Sequence, residues 1–263
     1  MPLKQSFCYP CFLEKDAPVA PLFAKARNIG FDAMELWFRD DTFEELVQSA
    51  HNAGLKVASM CGHRSIASGM NNPAEHDRII AELRESIDIA ARLNIPGLIT
   101  FSGNRIEGMS EEQAIANCVA CLERIAPYAE EKGINLNMEL LNSKVNHPGY
   151  QADSTRFGAE ICRRVNSPRV KLLYDIYHMQ IMEGDVIRTI QENIQWIGHF
   201  HTAGNPGRNE MDDQQELNYR GICHAIRQTG YDGYLAHELI PRGDKIQALE
   251  AAYNICSEDG FVR

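Results

Sequence analysis

VKLLYDIYH, residues 170–178, is an apolar run interrupted by an acid. A strand of a parallel sheet is covered on both faces, so it reads as a nearly continuous hydrophobic run. Asp175 inside such a run needs a reason. The same oddity recurs outward from this stretch. Upstream, NLNMELLN (135–142) carries Glu139. Downstream, IGHFHTAG (197–204) carries His199 and His201, and YLAHELIP (234–241) carries Glu238. Between each pair lies a segment whose apolar residues recur with the helical period of about 3.6.

The alternation continues to the start of the chain. Strands are expected at Lys4–Tyr9, 33–38 (AMELWF), 56–63 (KVASMCGH) and 97–103 (GLITFSG), with helices at Pro18–Asn28, Phe43–Asn52, 75–93 and from Ser110 to about Lys132. Ser110 followed by Glu112 and Gln113 is close to a capping box. The later helices fall at Ser154–Val165, Asp185–Asn193, Tyr219–Thr229 and Lys245–Ser257. Repeated strand–helix units predict a parallel sheet. Eight of them, with no G-x-G-x-x-G after the first strand, predict a single (β/α)8 TIM barrel spanning 1–263 rather than a doubly wound sheet. The stretches 65–74 and 203–218 are longer than ordinary connections, and long loops after strands tend to carry function.

Composition narrows the class. Thirty-six acidic against 26 basic residues give a net charge of −10, which repels a phosphate backbone and argues against nucleic acid as a partner. No run approaches the roughly 18 apolar residues of a membrane span, and the start, Met1-Pro-Leu-Lys-Gln5, lacks a signal-peptide core. The expectation is a cytoplasmic protein without a membrane partner. The eight cysteines then read as reduced thiols. Cys118 and Cys121, three apart on an amphipathic helix, read as core. Cys8 and Cys11 resemble half of a zinc or redox site, with no second half in view.

Glu139, Asp175, His201 and Glu238 are 36, 26 and 37 residues apart, about one strand–helix unit each time. They therefore sit on four successive strands, toward the C-terminal ends where barrel enzymes build their sites. A lone strand-end acid usually faces a Lys or Arg, and a lone histidine is usually satisfied within the core. Several carboxylates packed together instead repel, and a divalent cation removes the conflict. Three carboxylates and one imidazole suit Mn2+ or Mg2+ best, with Zn2+ and Co2+ also compatible. His199 has the same strand parity as His201 but lies one layer deeper, as a core residue or a partner behind the ligand. His237, of opposite parity to Glu238, should face the helices.

At these residues the chain resembles the hydroxypyruvate isomerase family of the xylose-isomerase-like (sugar isomerase/epimerase) TIM barrels. The resemblance is carried by MELLN (138–142), HPGY (147–150), YDIYHM (174–179), HFHTA (199–203), PGR (206–208), ELNY (216–219), and His237-Glu238 with PRG (241–243). It implies a metal held by Glu139, Asp175, His201 and Glu238. It further implies that His178 and Arg208 bind substrate oxygens and that Glu139 and Glu238 move protons. Asn142 and Glu216 match family positions, and His63, at the end of the third strand, is a further substrate-side candidate of this chain's own. Members are often dimers or tetramers, so the resemblance is compatible with a homo-oligomer. Departures fall at Cys8–Cys11, at Met60-Cys-Gly-His63 and at Leu239-Ile-Pro241, where specificity would be set.

The chemistry so implied is interconversion of a small aldose and ketose, or of a 2-oxo acid such as hydroxypyruvate and its aldehyde. A proton leaves carbon beside a carbonyl, and two glutamates serve as acid and base. Arg208 is suited to a substrate carboxylate. The alternatives are a keto-sugar 3-epimerase using the same groups and, in another class, a non-catalytic metal-containing sugar-binding barrel. A base-excision endonuclease on this fold would need further histidine ligands and a basic face that this sequence does not display.

Overall fold

A computed structural model describes residues 2–14 and 17–257; Met1, Lys15, Asp16 and 258–263 lie outside it. Nine parallel strands run in chain order as β1 (Lys4–Cys8), β2 (Ala33–Glu35), β3 (Lys56–Val57), β4 (Met60–Cys61), β5 (Gly97–Thr100), β6 (Asn135–Glu139), β7 (Val170–Asp175), β8 (Ile197–Thr202) and β9 (Tyr234–His237). Their spatial order is β3-β2-β1-β9-β8-β7-β6-β5-β4. The two ends of that order are halves of one strand. The Ala58 N–H donates to Met34 O at 2.8 Å and the Cys61 N–H to Trp37 O at 2.8 Å, while Met60 pairs with Leu98 of β5. The sheet thus closes on itself as an eight-membered TIM barrel, with its third strand broken at Ala58–Ser59.

The helices α1 (Tyr9–Phe12), α2 (Val19–Ile29), α3 (Phe43–Asn52), α4 (His76–Leu93), α5 (Glu111–Lys132), α6 (Thr155–Val165), α7 (Ile176–Met182), α8 (Val186–Asn193), α9 (Tyr219–Gln228) and α10 (Lys245–Cys256) include the eight that the sequence predicts. Their amphipathic faces supply the outer core. Ser110 and Gln113 form a complete capping box at the start of α5, and Cys118 and Cys121 are buried on its inner face. Among the described residues no helix is long and apolar enough to cross a membrane.

The differences from the predicted elements lie at the C-terminal ends of strands. The strand expected over 170–178 stops at Asp175, whose Oδ1 accepts from the backbone N–H of His178 at 2.9 Å and so caps α7. An aspartate three residues before a free helical N–H is an ordinary N-cap, and this one turns the chain out of the sheet. Helix α1 also starts directly after β1, without a side-chain cap and with Pro10 in its first turn. Strand residues that leave the ladder early are those that build the mouth of the barrel.

One long loop is fixed closely to the barrel. Between β4 and α4, the N–H groups of Met70 and Asn71 donate to Phe101 O (3.2 Å) and Ser102 O (2.8 Å), and the Asn104 N–H returns to Ala67 O at 2.9 Å. Gly69 lies where a Cβ would fall 2.2 Å from the backbone nitrogen of Gly103 and 2.4 Å from Ser102 C. Backbone atoms cannot swing aside as a side-chain tip can, so Gly69→Ala must push the loop off β5. The expected cost is about 1–3 kcal/mol in urea unfolding, the usual range for overpacking. Wild-type stability in that variant would rule out the close approach.

Candidate active site

Four side chains converge at the C-terminal mouth. Glu139 ends β6, Asp175 ends β7, His201 lies on β8 and Glu238 follows β9. The pairing of Asp175 with His201, and the bond from the Glu238 N–H to Thr202 O (3.0 Å), set them at matching heights. All four are buried, and one ligating atom from each falls within 4.8 Å of the others. His201 Nδ1 is the hub, at 3.1 Å from Glu238 Oε2, 3.3 Å from Glu139 Oε1 and 3.8 Å from Asp175 Oδ2.

Three buried carboxylates cannot all remain ionised without a positive charge among them. Burial pushes Glu139 up to about 7 and Asp175 up to about 6. Glu238 moves the other way: burial would raise it, but the Arg208 guanidinium and then His201 hold it well below the usual carboxylate range. His201 is held well above its usual value, because Glu35 and Glu238 outweigh the burial that would lower it. Its Nδ1 is buried and makes no hydrogen bond of good geometry. An orphaned imidazole nitrogen facing three carboxylates fits a divalent cation, and the oxygen-rich set fits a hard one.

Behind the hub lies a group that sequence reasoning missed. Glu35, at the end of β2, is fully buried; its Oε1 is 2.8 Å from His201 Nε2, and its Oε2 bonds His199 Nε2 at 2.7 Å. His199 is thus one layer deeper than His201, in contact with it through a shared carboxylate. An acid behind an imidazole fixes the ring's orientation and leaves the far nitrogen to face a metal. The signal is present in the sequence, since Glu35 interrupts AMELWF as Asp175 interrupts VKLLYDIYH.

A cavity of about 210 Å³ opens beside the cluster and is bordered by Glu139, His201, Glu238, Arg208 and His147. Arg208 reaches it from the loop after β8, held at φ +59°, and its guanidinium pairs with Glu238 Oε2. The other oxygen of Glu238 accepts from Trp37 Nε1 at 2.9 Å. Trp37 and His147 are site residues that the sequence does not single out, although His147 heads the HPGY stretch.

The remaining sequence candidates are placed differently. His178 is buried in the first turn of α7, with Nε2 3.7 Å from Asp175 Oδ2 and Nδ1 2.5 Å from Asn142 Nδ2. Asn142 also caps its own loop, its Oδ1 accepting from the N–H groups of Val145 and Asn146 at 2.9 Å. Both stand behind the cluster and do not border the cavity. Glu216 accepts from Gln180 Nε2 (3.1 Å) and from Asn205, so it ties the loop 203–218 to α7. His63 is turned away from the cavity. Its Nε2 accepts from the Phe101 N–H at 2.9 Å and its Nδ1 faces Arg64 O at 3.1 Å, leaving no ring nitrogen for a substrate. His237 faces the helix layer, bonded to Thr202 and Gln5 and packed edge-on against Phe31. Cys8 is buried beside Cys11, and burial pushes its thiol well up, which disfavours the thiolate that redox or metal chemistry needs.

A parallel barrel thus carries at its C-terminal mouth three carboxylates and an imidazole that could hold a metal ion. Residues 23–254 match the family model for the xylose isomerase-like TIM barrel, and the chain belongs to that family. It is 37% identical over 232 residues to a 2-oxo-tetronate isomerase of Cupriavidus necator, covering 84% of this chain and 86% of that protein. It is 28% identical over 238 residues to a putative hydroxypyruvate isomerase of Homo sapiens, covering 85% of this chain and 84% of that protein. These relatives place the chain among isomerases. A crystal structure titled as an AP endonuclease of family 2 from Brucella melitensis superposes with a TM-score of 0.79, covering 95% of this chain and 97% of that one. At 24% identity that likeness shows the shared fold and nothing of activity.

Two outcomes follow from this geometry. Glu35→Gln should weaken Mn2+ binding about 10- to 100-fold in a chelator-competition titration, the usual effect of removing an outer-shell partner; an unchanged dissociation constant would show that Glu35 does not orient His201. The second concerns pH. Glu139 and Asp175 have folded values of about 7 and 6, above their ordinary 4.5 and 3.8. The metal-free folded state therefore binds more protons than the unfolded state, and these groups withdraw stability as pH rises from about 4 to about 7. The rise in Tm on adding Mn2+ should thus be larger at pH 8 than at pH 5, and equal shifts at both would contradict it.

Proposed function

We propose that the chain is a metal-dependent isomerase that interconverts a small aldose and ketose, or a short 2-oxo acid and its aldehyde, through an enediolate. The observation that carries this reading is the pair Glu139 and Glu238. Both border one small cavity, and both lie within about 3.3 Å of a single imidazole nitrogen. A cavity of about 210 Å³ is below the usual range for drug-sized ligands and suits a compact substrate. The names of the relatives point the substrate class toward short sugar acids, and free small molecules in the cytoplasm belong to the same reading.

A divalent cation, Mn2+ or Mg2+ before Zn2+ or Co2+, held by Glu139, Asp175, His201 and Glu238, would polarise the substrate carbonyl as a Lewis acid. The chain's own groups do the rest. Trp37 and Arg208 hold Glu238 by both oxygens, so its orientation is set before substrate arrives. Glu139 reaches the cavity from β6, and its contact with His201 Nδ1 fixes one oxygen. One carboxylate takes the proton from the hydroxyl-bearing carbon beside the carbonyl, the other carboxyl returns a proton at the former carbonyl carbon, and the hydroxyl proton passes to the former carbonyl oxygen. Arg208 offers N–H groups to a substrate carboxylate, and His147 borders the same space. The apolar walls keep bulk water from the transferring protons.

Epimerisation uses the same two carboxylates on opposite faces of one carbon, and the position of incorporated deuterium separates the two reactions. The test is solvent deuterium exchange into hydroxypyruvate, 2-oxo-tetronates and free ketoses with Mn2+ present. Wild-type protein should exchange at least one of them. Glu139→Gln and Glu238→Gln should each lower the rate on the order of 10²- to 10⁴-fold with an unchanged circular dichroism spectrum. Undiminished exchange in both variants would remove the acid–base assignment, and no exchange by the wild type would make the chain a non-catalytic binder.

A further inference from the structure

The cavity has two unlike halves. Its charged side is made by Glu139 of β6, His201 of β8, Arg208 of the loop after β8 and Glu238 just beyond β9, with His147 of the loop after β6 and Trp37 beyond β2 as its other polar lining. The other half is walled by Phe38 beyond β2, Cys61 of β4, Ile66 of the following loop, Ile99 and Phe101 of β5, and Leu141 beyond β6. Ile99, Phe101 and Leu141 are almost fully buried by the barrel, whereas Phe38 is 51% exposed at the rim.

Several backbone N–H groups around that wall are also spent. The Cys61 N–H donates to Trp37 O (2.8 Å), the Gly62 N–H to Ile99 O (2.8 Å), the Met70 N–H to Phe101 O (3.2 Å) and the Leu141 N–H to Ala152 O (3.3 Å). The Phe101 N–H donates to His63 at 2.9 Å. His63, which a sequence reading would place here as a polar contact, thus consumes one of the remaining donors on the wall. Cys61 contributes only a thiol, a weak hydrogen-bonding group. A substrate hydroxyl carried to this side gives up water and finds no strong side-chain partner among these residues, and an unpaired buried hydroxyl is penalised.

We propose that the site selects substrates with an oxygen-rich reacting end and an apolar far end: short hydroxy-ketones or 2-oxo acids ending in a methyl or other deoxygenated carbon. The proposal rests on the isomerase reading for which end reacts, but the tail preference is a property of the wall and can be measured without turnover. The ionic half fixes the carbonyl, its neighbouring hydroxyl and any carboxylate, which leaves the tail to meet Phe38, Ile66, Ile99 and Phe101.

The experiment compares matched pairs on the full chain with Mn2+: erythrulose against its terminal deoxy analogue, and 2-oxo-tetronate against its terminal deoxy analogue. Dissociation constants come from calorimetry and exchange rates from deuterium incorporation. In each pair the deoxy member should bind on the order of tenfold to a hundredfold more tightly, the discrimination that an apolar pocket exerts against one added hydroxyl. Ile66→Thr should shrink that ratio by supplying a partner on the wall. Equal affinity within the pairs, preference for the hydroxylated members, or no binding of any of the four at millimolar concentration overturns the proposal. So does an unchanged ratio in Ile66→Thr. Tighter binding of the deoxy members without exchange upholds the tail preference and refutes the isomerase reading instead.

Discussion

Three carboxylates buried around one imidazole nitrogen are the constraint on which the rest of this molecule depends. Like charges so close in a low-dielectric interior must be neutralised, protonated or separated. The barrel forbids separation, because strand register sets Asp175 beside His201 and Glu238 beside Thr202. Compensation comes instead from neighbouring groups: Arg208 on Glu238, Trp37 on its second oxygen, and the His201–Glu35–His199 chain beneath. A divalent cation answers the same demand more completely. The capacity to hold a metal and the organisation of the cavity are thus two results of one electrostatic problem.

What is legible in the sequence follows the physics of burial. A charged residue in a strand covered on both faces stands out whatever its neighbours, so Glu139, Asp175, His201 and Glu238 can be picked out one by one. Their spacing of about one strand–helix unit then joins them into a single cluster. The choice of His201 over His199 needs only the two-residue period and the position of the rim. Glu35 meets the same criterion but escapes it, because β2 keeps only three residues in the ladder and its acid has no companion nearby in sequence.

Side chains on the irregular segments are a different matter. His63 and Glu216 have suitable chemistry, yet where each points is decided by loops whose course no periodicity encodes. His63 turns to the backbone of Phe101 because the 65–74 loop is bonded to the end of β5. Glu216 is drawn to Gln180 and Asn205, so it closes a loop rather than lining the cavity. His178 falls within the strand expected over 170–178, but that strand ends three residues earlier. An aspartate can be a buried acid or a helix cap, and Asp175 is both.

That double role of Asp175 has a mechanical side. Its Oδ2 faces the hub while its Oδ1 closes the first turn of α7, and the same helix presents Gln180 to Glu216 in the loop that carries Arg208. Asp175 and the loop that carries Arg208 are thus connected through two hydrogen bonds and a helix of seven residues. The barrel is the frame of that connection, and α7 is its short link.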